Sequence, residues 1–92
     1  MTDDDAHRVL MSQADAVKRG ALAIWTIYDR PKDFPQGFIA RRCEVHDSGA
    51  VTLTRDTITG KLEDIRMAFW KAGLLKLSRQ EGDEPQIVES WV

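Results

Sequence analysis

The 92-residue chain contains a single cysteine, Cys43, and so can close no internal disulfide. That suits a reducing compartment. No apolar run approaches the ~18–20 residues needed to cross a bilayer. The first residues, Met-Thr-Asp-Asp-Asp, lack the positive charge of a secretion signal. These absences lead to the expectation of a soluble cytoplasmic protein with no membrane partner. A basic excess is also missing: 13 Lys and Arg stand against 15 Asp and Glu, a net charge of −2. Duplex-binding modules usually carry surplus positive charge, so nucleic acid is a disfavoured partner. No Walker A loop, dinucleotide-binding glycine motif, HExxH or paired CxxC occurs, and nothing calls for a cofactor.

Metal and nucleophile chemistry fare no better. His7 and His46 are the only histidines. Cys43, Glu44 and His46 lie close in sequence, but Cys43 and Glu44 are neighbours in an expected strand and point to opposite faces. Zinc requires three or four ligands converging on one point, so no metal site is assigned. The same alternation separates Cys43 from His46 and leaves the thiol without a general base. Asp29 and Asp33 form a candidate acid–base pair. Turn formation and the nearby Arg30 and Lys32 account for both carboxylates without catalysis. No catalytic residue is assigned, and the reading leans away from an enzyme.

What is present is the composition of a globular domain, 42% apolar and 30% charged. Residues 1–20 are expected as a weakly helical or partly ordered arm, with a thin stripe of Leu10, Ala14, Val17 and Ala21. Residues 21–92 are expected as one α+β domain. Ala21–Tyr28 reads as a strand apolar on both alternating faces, hence central and covered on both sides. Asp29–Gly37, with Pro31 and Pro35, reads as a stiff loop, and Phe38–His46 as a second strand with Ile39, Cys43 and Val45 inward. Asp47-Ser48-Gly49 predicts a hairpin turn into a return strand over Ala50–Thr54. Ile58, Leu62, Ile65 and Phe69 recur at helical spacing and predict a helix over about 60–72, capped by Thr57 or Thr59. Two strands, Leu74–Arg79 and Gln86–Val92, then flank a turn at Glu-Gly-Asp-Glu-Pro.

The predicted order is (α)-β-β-β-α-β-β. It makes a four- to five-stranded antiparallel sheet with one packed helix on one face, and either the N-terminal arm or a partner subunit is expected over the other. Residues 61–79 carry five basic and two acidic side chains, while residues 81–92 carry four acidic and none basic. Lys76 and Arg79 are therefore expected to face Glu84 or Glu89 across the last hairpin.

Two groups remain as candidate functional residues. Arg30, Lys32, Arg41 and Arg42 are candidates for holding a small phosphate or carboxylate through bidentate bonds. Only one of Arg41 and Arg42 can share a face with the loop, and salt bridges to Asp29 or Asp33 compete with that role. Trp25, Trp70 and Trp91 are candidate interface residues, because tryptophan is enriched where proteins meet. Self-association or another protein partner is the leading expectation, with the anion as the alternative.

The segment W-x-x-Y-D-x-P-x-D-x-P-x-G-F-x-A-R runs through Trp25, Tyr28, Asp29, Pro31, Asp33, Pro35, Gly37, Phe38, Ala40 and Arg41. With the ending Gly82-Asp-Glu-Pro-Gln-Ile-Val-Glu-Ser-Trp91, it resembles a family of short bacterial proteins without an established function. The resemblance covers about residues 22–92 and implies a compact bacterial domain, with no activity or cofactor attached.

Overall fold

A computed structural model describes residues 2–79 and 82–92; Glu81, the first residue of the expected last turn, lies outside them. The elements follow the order α1 (Thr2–Lys18), β1 (Leu22–Asp29), β2 (Phe38–Val45), β3 (Val51–Gly60), α2 (Leu62–Lys71), β4 (Lys76–Ser78) and β5 (Ile87–Trp91). The strands form one antiparallel sheet in the order β3-β2-β1-β5-β4. The fold is the expected α+β arrangement with a five-stranded sheet and both helices formed.

Local chemistry explains most of the boundaries. Gly49 takes a left-handed φ of 87° in the β2–β3 turn, where a Cβ would be strained. His46 N–H donates to Ala50 O across that turn. β3 runs on to Gly60, past the expected end at Thr54, because β2 pairs with it on both sides of a bulge near Arg42. Thr57 and Thr59 are consequently strand residues and cap nothing. Lys61 occupies the α2 N-cap without a side-chain hydrogen bond. Gly73, with φ of 83°, ends α2, and Leu74 N–H returns to Phe69 O.

The core lies between the sheet and the helices. Phe69 packs between Trp25 and Trp91, with ring centroids 5.4 and 5.6 Å away. Val9, Ile27, Ala40, Ile58, Ile65 and Leu74 complete the cluster. The presence of Val9 places α1 on the same face as α2, and the two helices pack against each other. α1 therefore does not cover the opposite face, as the sequence had suggested.

The buried side of α1 also differs from the expected stripe. Ala6, Val9 and Ala16 are buried, whereas Leu10 and Val17 are exposed. The reason lies beneath the helix. Ala16 rests on Ala21 and Ala23, where a larger side chain would hold the helix away from β1. Gln13 fixes the approach by accepting from Trp25 Nε1 at 3.2 Å and donating to Ala23 O at 3.4 Å. A helix seated on alanines and one glutamine leaves its larger residues outside.

Phe69 is fully buried and joins three elements, so Phe69→Ala should destabilise the fold by about 3–5 kcal/mol. Urea unfolding followed by circular dichroism measures this. A loss below about 1 kcal/mol would contradict the packing described.

Candidate functional site

The β1–β2 connection brings three of the four expected anion-binding residues, Arg30, Lys32 and Arg41, to one end of the sheet, and it pairs the two arginines with carboxylates. Arg30 takes a left-handed backbone (φ 44°), its N–H donates to Gly37 O, and its Nε donates to Asp29 at 2.9 Å. Arg41 is bonded to Asp33, and its guanidinium lies over the Tyr28 ring, 5.2 Å from the centroid. The Arg41 bond holds the Asp33 carboxyl below its usual range. Burial pushes the Tyr28 hydroxyl up, only partly opposed by Arg41. Lys32 is the only one of the four cations without an ion-pair partner among the described residues. It lines a cavity of about 290 Å³ with Tyr28, Pro31, Arg41, Glu84 and Gln86.

Arg42 points to the other face, beneath α1. It is buried and bonded to Glu44 and, at 2.6 Å, to Asp56. Glu44 is buried as well, and Arg19 from the end of α1 grips it with a two-pronged contact at 2.7 and 2.6 Å. Arg19 also holds Asp15 at 2.7 Å. The chain Asp15–Arg19–Glu44–Arg42–Asp56 clamps the last turn of α1 to β2 and β3. The arginine bonds, Arg19 first, outweigh burial and bring the Glu44 carboxyl down to about 2. No local pattern in the sequence points to this contact of Arg19.

At the other edge, buried Glu89 accepts from Arg66 at 2.7 and 2.9 Å and from Trp91 Nε1 at 2.9 Å. Burial acts to raise the Glu89 carboxyl, but these bonds win and hold it low. Glu89 is thus held chiefly by α2; of the expected cross-hairpin partners Lys76 acts on it without direct contact, and Arg79 donates to Asp83 O instead. No buried side-chain nitrogen or oxygen among the described residues lacks a partner.

Of the tryptophans, Trp25 and Trp91 lie inside this chain's own core, which removes both from the expected interface. Trp70, one residue off the buried stripe of α2, is 69% exposed. The residues that sequence reading missed lie on the bare side of the sheet. With Trp25 and Ala23 directed to the helices, Leu22 and Ile24 face the other way. Leu22 sits across from Val45 and Val45 from Val51; Ile24 sits across from Cys43 and Cys43 from Leu53. These six form two apolar rows over three strands with no charged residue among them. Leu22, Val51 and Leu53 are 53%, 60% and 84% exposed. Burial raises the pKa of the Cys43 thiol, which favours its neutral form. Cys43 and Val45, expected inward, instead belong to this outer face.

The Glu44 linkage sets a pH dependence. The folded-state carboxyl titrates near 2 and the unfolded one near its ordinary 4.5, so the contribution is complete above about pH 4.5. It is lost as pH falls toward 2. Glu44→Gln should lower stability at neutral pH and lose less than the native chain between about pH 5 and 2.5. Denaturant titrations across that range give the comparison, and equal acid losses would exclude Glu44 as their source.

No protein-family model, curated protein or solved structure matches this chain.

Proposed function

We propose that this protein is a non-enzymatic interaction module of the bacterial cytoplasm that works as a homodimer, joined through the bare face of its sheet. The observation that carries this reading is the apolar grid of Leu22, Ile24, Cys43, Val45, Val51 and Leu53. Half-exposed leucine and valine side by side across three strands form a patch on the order of 400–500 Å², the size that marks interaction sites on monomers. Two such patches meeting face to face, with their rims, remove about 1,000 Å² from water, near the lower bound for a specific interface. An uncharged patch is self-complementary: a second copy brings apolar surface and no like charge against it. The buried Arg42, Glu44 and Glu89 all have ion-pair partners, which supports structural roles for them. The ion pairs of Arg30 and Arg41 weigh against the alternative role in holding a small anion.

Light scattering on the eluting protein at about 100 μM should give twice the chain mass of 10.4 kDa. Leu53 is almost fully exposed, so Leu53→Asp should leave the fold intact while weakening the dimer at least tenfold, about 1.4 kcal/mol. A native chain that stays monomeric, or a Leu53→Asp chain that dimerises equally well, would refute the proposal.

A further inference from the structure

The short edge strand β4 offers a second surface, on the helix side of the sheet and independent of the dimer face. Among the described residues its one strand neighbour is β5. Leu75 N–H donates to Val92 O at 2.7 Å, and Val92 N–H returns to Leu75 O at 2.9 Å. Antiparallel alternation then turns the N–H and C=O of the next residue, Lys76, away from β5 and out along the open edge. The Lys76 side chain, across from Trp91, lies on the helix side. There Lys76 and Trp91 line a cavity of about 430 Å³ with Glu63, Arg66, Met67 and Trp70. The four α2 residues fall at i, i+3, i+4 and i+7, one stripe of the helix. The cavity therefore opens beside backbone groups that point outward.

We propose that an extended, acidic–apolar peptide segment of a partner protein adds to β4 as a sixth strand. Its residue opposite Lys76 must point to the same face as Lys76, so an apolar side chain there enters the cavity against Met67 and Trp70. Acidic residues two positions to either side of that anchor share its face and lie diagonally across from Lys76. Glu89, the carboxylate beneath this region, is occupied by Arg66 and Trp91 Nε1. Lys76 makes no ion pair among the described residues, its charge acting on Glu89 only at a distance, and Glu63 is the other carboxylate of the lining. Trp70 supplies the large, exposed aromatic surface typical of an anchoring contact. The other sheet edge is less suited. β3 is paired to β2 through a bulge, and its Thr57 O accepts from Arg8 at 3.3 Å.

The probe is a fluorescein-labelled peptide of about nine residues, alternating Glu and Val with Leu in place of the central Glu, so that Leu and the Glu residues share one face, titrated with the full chain in low salt. Its companion carries N-methyl groups on alternate backbone amides and so cannot pair along one edge. The first peptide should bind saturably, one per chain, with a blue shift of tryptophan emission from Trp70. Trp70→Ala and Lys76→Glu should each weaken binding at least tenfold. Leu53→Asp should leave binding unchanged, which separates this surface from the dimer face. The proposal is overturned by absence of saturable binding up to about 1 mM. Equal binding of the N-methylated peptide, or full affinity in Trp70→Ala, also overturns it.

Discussion

The contact of Phe69 with Trp25 on one side and Trp91 on the other joins α2 to the sheet's central strand and to its neighbour β5. Large rings in tilted contact contribute area burial and about 0.5–1.5 kcal/mol per pair beyond it. In a chain of 92 residues no second core of comparable size can form. The helices are therefore drawn to the face that holds these rings, and α1 joins through Val9 rather than finding a face of its own. One-sided coverage follows directly. The opposite face keeps whatever the strands place there, and β1 to β3 place aliphatic side chains there.

Charge performs a different task. The Asp15–Arg19–Glu44–Arg42–Asp56 chain lies over the part of the sheet where α1 rests on alanines and the apolar contact is thin. Buried ion pairs rarely add much net stability, because desolvation offsets the attraction, but breaking one leaves an uncompensated charge. Such a network fixes position more than it adds stability. It sets where the last turn of α1 meets β2, while Gln13 sets the angle two turns earlier. Arg66 and Glu89 do the corresponding work for α2 at the other side of the sheet.

Much of this was legible in the sequence, and the failures share one cause. The α2 stripe, the Gly49 turn and the strand alternation all depend on residues near one another in the chain, and local periodicity reports them well. The separation of Arg41 from Arg42 follows from the same alternation, and the ion pairs of Arg30 and Arg41 use carboxylates from the same loop. What escaped reading depends on contacts distant in sequence. Arg19 finds Glu44 25 positions away, and Arg66 finds Glu89 23 away. The buried side of α1 is chosen by alanines in β1, so the larger Leu10 and Val17 misled the pattern. The bulge near Arg42 lengthened β3 beyond any signal in its own residues.

Strand β1 gave the most useful ambiguity. Apolar residues on both of its faces imply two coverings, and a chain with two helices has enough material for both. Geometry rejects that division. Splitting the helices would leave Phe69 and Val9 on opposite sides of the sheet, and each half would bury too little to order its helix. Keeping them together yields one dense layer and leaves Leu22, Ile24 and their neighbours to water. Toward its start β1 thus turns Leu22 and Ile24 to solvent before Thr26 follows them, whereas a one-sided sheet with no partner alternates apolar with polar throughout. Among the described residues no further element lies over that face.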